Sequence, residues 1–319
     1  MRQITDRQLE IIDAVLAEKN VGGLTAAILE KDIHLTDVLH MLARIRFPLL
    51  KLVFCGGTSL SKAYQTIERM SEDIDLKMVL IQGNGLSRSA IKSMLSSVKK
   101  SVIDEMEKLG FIRDETGFLT RNENRYFATA WQYQSRYLSD ESLRPHLSLE
   151  LTLREPKFST SIISVPYLVD QLAEIEGVTV QFECVSVEET LAEKVLSFLR
   201  RYAQHRSGNM KQDWDPALVR HIYDTYCIVT RGGDVVEKAK LQFKNLVQFD
   251  VKEFSQHQEF VQNPRECLLS ALSRAEFDEQ TINEYETRLL PLIHGVVRPN
   301  FSDAFAVFKR SSEALIGTL

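Results

Sequence analysis

Residues 50–80, LKLVFCGGTSLSKAYQTIERMSEDIDLKMVL, constrain the fold more than any other stretch of this 319-residue chain. Leu49 to Phe54 is a short apolar run that stops at two glycines, the pattern of a buried strand. After Gly57, Leu60, Ala63, Tyr64 and Ile67 fall on one helical face. Asp73 to Leu80 then alternates and reads as a second strand. The order strand, glycine turn, helix, acidic strand brings the turn and the acids to one end of neighbouring strands.

Each half of that stretch has a chemical reading and a plain one. Glycines at Gly56 and Gly57 allow close backbone approach. Free N–H groups at a helix start attract an anion, and Thr58 and Ser59 add hydroxyls. The spacing is not that of a Walker A loop. The plain reading is a glycine turn with a Ser/Thr cap. In a strand, Asp73 and Asp75 point to one side while Ile74 and Leu76 point to the other. Two adjacent carboxylates repel unless a cation sits between them. Mg²⁺ favours one or two carboxylates plus substrate phosphates. The plain alternative is a solvated strand end. A third acid lies in HLSLELTLR (146–154), where Leu147, Leu149, Leu151 and Leu153 form one face. Glu150 is the one acid on the opposite face. It suits a metal ligand or a base, or equally an exposed partner for an arginine.

The remaining chain supplies more of both elements. Thr5 to Gln8 has the form of a capping box before an amphipathic helix, and a longer helical pattern runs from Ala26 to Ile45 before Pro48. Ser87 to Leu109 reads as a helix. Arg125–Tyr133, Ser161–Val165 and Val178–Cys184 read as strands. Ser186 to Glu189 is a second capping box, opening a helix to about Tyr202. Asp215-Pro216 starts the next, and the pattern stays mostly helical to the end. The expected class is α/β (α+β): a mixed-sheet core with N-terminal helices over 1–185, and a helical region over 186–319.

Hydrophobic residues make up 44% and charged residues 26%, the balance of a soluble globular protein. No run of 18 apolar residues predicts a membrane span, and the charged N-terminus does not resemble a signal peptide. The four cysteines, Cys55, Cys184, Cys227 and Cys267, form no CxxC pair, which argues against a zinc site or a disulfide framework and fits a reducing cytoplasm. A net charge of −5 excludes a global nucleic-acid footprint. Local basic surface has two candidates free of acids: residues 76–103, with Lys77, Arg88, Lys92, Lys99 and Lys100, and residues 194–212, with Lys194, Arg200, Arg201, Arg206 and Lys211.

GGTSLSKAY followed by SEDIDL closely resembles the nucleotidyltransferase AbiEii/AbiGii toxin family, within the DNA polymerase β-like nucleotidyltransferase superfamily. Arg69, Ser71 and the upstream Glu30-Lys31-Asp32 share that likeness. The family's third motif, a lysine on a helix, resembles Lys194 in EETLAEKVLSFLRR. There Lys194, Ser197 and Arg201 share a polar stripe, and Leu191, Val195, Phe198 and Tyr202 look core-facing. The fourth motif, two aspartates three residues apart, is matched in part: Asp224 is present, and His221 stands in place of the first aspartate. A surface pair of Asp224 with Arg220 is the plain reading.

The resemblance implies a toxin of a toxin–antitoxin or phage-defence pair. It implies transfer of a nucleoside monophosphate from an NTP to an RNA acceptor such as the tRNA 3′ end, with a cognate antitoxin encoded nearby. Gly56, Gly57, Thr58 and Ser59 are then expected to hold the triphosphate. Asp73, Asp75 and Glu150 are expected to bind Mg²⁺, with Mn²⁺ as its substitute. Lys194 is expected to offset phosphate charge, and Asp224 to act as a base or to orient Lys194. Two alternatives remain: a kinase acting on a protein hydroxyl, and a degenerate module that only binds nucleotide or RNA.

Overall fold

The computed structural model describes residues 1–19, 21–81, 85–138, 143–208 and 214–319. Two compact units emerge. The first comprises Met1–Gln65, Met70–Pro156 and Thr160–Val185; the second comprises Thr66–Arg69, Lys157–Ser159 and Ser186–Leu319.

The first unit begins with α1 (Asp6–Glu18), where Thr5 and Gln8 make the reciprocal bonds of a capping box. Then come α2 (Ala26–Leu42), β1 (Leu50–Cys55), α3 (Gly56–Lys62), β2 (Asp73–Leu80) and α4 (Arg88–Lys108). Strands β3 (Ile112–Arg121), β4 (Tyr126–Gln132), β5 (His146–Leu153) and β6 (Ser161–Val165) precede α5 (Leu168–Ala173) and β7 (Val180–Cys184). The strands form one mixed sheet in the order β3-β4-β5-β2-β1-β7-β6. The β2–β5 and β1–β7 pairs are parallel, and the other pairs are antiparallel. Alternation sends Phe54, Ile74, Leu76, Met78, Leu149, Leu151 and Phe127 into one core with Ile33 and Leu39 of α2 and Leu95 and Val102 of α4. On the opposite face a small cluster of Val53, Cys55, Val79 and Val185 adjoins the polar positions of β2 and β5.

Hydrophobic periodicity does not anticipate β3. This edge strand leaves Ile112 and Leu119 exposed, and its register shifts between Asp114 and Leu119. With neither face fully buried, no alternation is imposed on its sequence.

Helix α2 buries three consecutive charged residues, Glu30, Lys31 and Asp32. Each is paired. The Lys31 amine donates to Glu72 Oε1 and to the Arg144 carbonyl, both at 2.6 Å. Glu72 also accepts from the Arg144 N–H. The Lys62 amine donates to Asp32 at 2.6 Å, and Asp32 accepts the Leu168 N–H. Glu30 accepts from the Ser135 hydroxyl and the Arg136 N–H. One helix therefore fixes α3, the residue before β2 and the approach to β5.

The second unit has no sheet among its described residues. It consists of α6 (Val187–Arg206), α7 (Arg220–Thr230), α8 (Val235–Glu253), α9 (Gln258–Gln262), α10 (Pro264–Ala275), α11 (Glu279–Glu284) and α12 (Phe301–Ile316), with a 3-10 turn at Pro216–Val219 capped by Asp215. Phe198, Tyr202, Phe243, Tyr285, Phe305 and Phe308 lie at its centre. The capping box expected at Ser186 forms only in part. The Ser186 hydroxyl accepts the Glu189 N–H, but the Glu189 carboxylate turns to the N–H groups of Lys157 and Phe158. No helix of the described residues is long and apolar enough to cross a membrane.

Glu72→Ala leaves the Lys31 amine buried without its carboxylate. We expect a loss of about 3–5 kcal/mol in urea unfolding, partly recovered in the Lys31→Met/Glu72→Leu double variant.

Candidate active site

The glycine turn and the acidic strand meet at one contact. Gly56 has φ +77° and lies against Asp75, so a Cβ there would come within 2.1 Å of Oδ2. A side chain is thus excluded twice, by backbone conformation and by the carboxylate. The antiparallel register sets Cys55 opposite Asp75, and the Cys55 thiol donates to the Asp75 carbonyl at 3.3 Å. Thr58 is fully buried. Its hydroxyl donates to the Asp73 carbonyl and lies 2.9 Å from Ser71 Oγ. The buried Ser59 hydroxyl donates to the Gly56 carbonyl at 2.9 Å. The Thr58 hydroxyl ties the turn to β2, and the Ser59 hydroxyl closes the turn on itself. Both hydroxyls that the sequence reading assigned to phosphate have protein partners here.

Strand β2 carries Asp73 and Asp75 half-buried on the face opposite the main core. The parallel register places Glu150 directly beside Asp75, and Ser148 beside Asp73. Across β4, the small Ala128 faces Glu150. Two further residues join these acids that sequence reasoning did not single out. Arg144, just before β5, donates from Nη1 to Asp73 Oδ1 at 2.7 Å. The Tyr126 hydroxyl bonds Glu150. Burial first, and then the Glu150 charge, push that phenol above its ordinary range, with Asp75 adding to the effect. The one signal for Tyr126 is strand alternation, which puts it on the same face as Ala128. Asp73, Asp75 and Glu150 share this face, although their carboxylate oxygens do not all lie within 4.8 Å of one another.

In the second unit, Asp224 of α7 is fully buried and holds two cations. Arg69 grips it in a fork, Nε to Oδ1 and Nη2 to Oδ2, both at 2.7 Å. The Lys194 amine of α6 lies 2.5 Å from Oδ2. Burial alone would raise the Asp224 carboxyl. Arg69 and Lys194 outweigh it and hold the group well below the usual carboxylate range. The surface pair with Arg220 is therefore replaced by a buried trio. One turn earlier, burial and the Lys194 charge hold the His221 imidazole well below its ordinary value, so it is neutral at pH 7. Its Nδ1 is buried without a hydrogen-bond partner.

The basic segments are less open than their composition implies. Lys77 is buried. Arg88 pairs with Glu123, Arg200 with Asp250, Arg201 with Asp215 and Arg206 with Asp278. Lys92 and Lys100 remain exposed, and Lys211 lies outside the described residues.

Comparison with known proteins bears on this arrangement. The model of the nucleotidyl transferase AbiEii toxin family, of type IV toxin–antitoxin systems, matches residues 41–307. The chain belongs to this family. It is a nucleotidyltransferase and the toxin half of a toxin–antitoxin pair. Among solved structures it is similar to MenT4, a nucleotidyltransferase toxin from Mycobacterium tuberculosis H37Rv. The TM-score is 0.52 at 16% identity, covering 98% of this chain and 89% of that one. That likeness establishes the fold, as expected from the mixed sheet and helices. No curated protein matches the sequence.

Two outcomes follow from this geometry. Gly56→Ala should destabilise the protein by more than about 1 kcal/mol in thermal or urea unfolding, because Asp75 or the turn must move. Asp224→Asn should cost about 3–5 kcal/mol near neutrality. Since folding depresses the Asp224 pKa, its stabilisation is complete above the unfolded value of about 3.9 and fades as pH falls below it. The gap between wild type and Asp224→Asn in urea midpoints should therefore narrow in acid.

Proposed function

We propose that this toxin transfers a nucleoside monophosphate from an NTP to an RNA acceptor in the cytoplasm, with release of pyrophosphate. The tRNA 3′ end is the first acceptor to test, and phage defence is the setting the family reading favours. The observation that carries this reading is the contact between Gly56 and the Asp75 carboxylate. It makes a backbone turn able to approach phosphate, and a carboxylate able to hold metal, parts of a single place.

Asp73, Asp75 and Glu150 are the assigned holders of a divalent ion, Mg²⁺ or Mn²⁺. When bound, such an ion polarises the α-phosphate and favours ionisation of the attacking hydroxyl. The protein's own groups orient this arrangement. Gly56 and Gly57 let the triphosphate approach the turn, free of side chains. The Tyr126 hydroxyl fixes the Glu150 carboxylate, and Arg144 offsets charge on Asp73. For the second unit, we assign Asp224 the task of orienting the Lys194 amine. The 2.5 Å pair supports this assignment.

The test is incubation of the purified protein with total cellular RNA, divalent ion and each α-labelled NTP in turn, with γ-labelled ATP and GTP run in parallel. Label from the α position should enter RNA, and Asp75→Asn should reduce it to background while the protein stays folded. Transfer that survives in Asp75→Asn, or label that enters protein from the γ position, would refute the assignment.

A further inference from the structure

We propose that the second unit carries a binding site for one divalent transition-metal ion of the zinc class, built from His257, Glu259 and Cys267. The site is separate from the carboxylate face of the first unit and differs from it in chemistry. Among the described residues, these three form the one group of histidine, cysteine and acid side chains in which a ligand atom from each lies within 4.8 Å of the others.

The independent observation is His257 itself. It is 1% exposed, and neither Nδ1 nor Nε2 has a hydrogen-bond partner. A neutral imidazole has one donor and one acceptor, and both are ordinarily satisfied when buried. Here the backbone on either side is fixed. The His257 N–H donates to the Phe254 carbonyl, and the His257 carbonyl accepts from Val261. The ring packs against Phe260 at 5.8 Å between centroids. The imidazole is therefore placed firmly and left with unused lone-pair capacity. Burial, with Arg200 second, keeps it below its ordinary pKa and so in the neutral, ligating form.

The other two groups supply the charge an ion needs. Cys267, in α10, is buried, and burial with the nearby Glu259 pushes its thiol up to about 11. Metal binding replaces the S–H bond with a metal–sulfur bond, and the proton leaves to solvent. One thiolate and one carboxylate then neutralise a divalent ion, so the buried site carries no net charge. Arg200, the cation acting on His257, is paired with Asp250 at 3.1 Å, which offsets its repulsion. Tetrahedral bonds of about 2.0–2.3 Å place ligand atoms about 3.5 Å apart. The ligand atoms, within 4.8 Å of one another, would draw together on binding, and the exposed Glu259 side chain is the one of the three with room to rotate. A water would complete four-coordination. Mixed nitrogen, sulfur and oxygen ligands select zinc-class ions over Mg²⁺. An ion here would tie α9 to α10 and satisfy the buried imidazole.

Tag-free full-length protein, stripped with chelator, would be titrated with Co²⁺ and read by thiolate-to-metal charge transfer and visible d–d bands. One equivalent should bind, and Zn²⁺ should displace it. Cys267→Ser should abolish the charge-transfer band. Glu259→Gln alters an exposed side chain that the fold does not need, and should weaken binding by about tenfold or more in chelator competition. The proposal fails if the wild type shows no charge-transfer band. It also fails if the band survives in Cys267→Ser, or if Glu259→Gln binds as the wild type does.

Discussion

A carboxylate pressed against a glycine backbone organises the first unit. Asp75 fills the space a side chain at position 56 would need, so the turn after β1 and the acid on β2 are fixed by each other. The Thr58 hydroxyl tightens the same join by reaching the Asp73 carbonyl, and the Ser59 hydroxyl braces the turn through the Gly56 carbonyl. The parallel register then carries Glu150 to the side of Asp75. Move the turn by an ångström and the acidic face of β2 moves with it.

Both units stabilise polar chemistry by burying opposite charges in pairs. Lys31 with Glu72 and Lys62 with Asp32 anchor the first unit, and Arg69 and Lys194 on Asp224 anchor the second. Such pairs gain little over apolar packing, but removing one partner is expensive, because the survivor is left charged in a poor solvent. They constrain geometry more than they add stability. A buried Arg–Asp fork tolerates almost no displacement.

The central elements of the sheet were readable because burial on one face forces alternation. In HLSLELTLR the leucines pack inward and Glu150 stands on the other side. The glycine turn and the acidic strand were readable from their order. Edge strand β3 was not, since neither of its faces is fully buried. Arg144 and Tyr126 were not, since their importance comes from register across strands and not from local pattern. The protein partners of the Thr58 and Ser59 hydroxyls were not readable for a related reason. A hydroxyl beside a glycine turn is equally able to serve a ligand or the protein, and only burial separates the two. The charged triplet in α2 and the fork on Asp224 likewise depend on partners distant in sequence.

The placement of Arg69 has a topological consequence. The two units are made from six chain segments, so the polypeptide passes from one to the other five times. One of those segments is the four residues Thr66–Arg69, whose last member supplies the fork on Asp224. Another, Lys157–Ser159, supplies the N–H groups that occupy Glu189. A fragment cut at residue 186 would keep α6 to α12, the α-helices described in the second unit. It would nevertheless lack the guanidinium that neutralises its buried aspartate and the amides that satisfy its first-turn glutamate. The helical part is therefore not a transplantable module: modular shuffling or independent expression would break it at charges contributed from elsewhere in the chain.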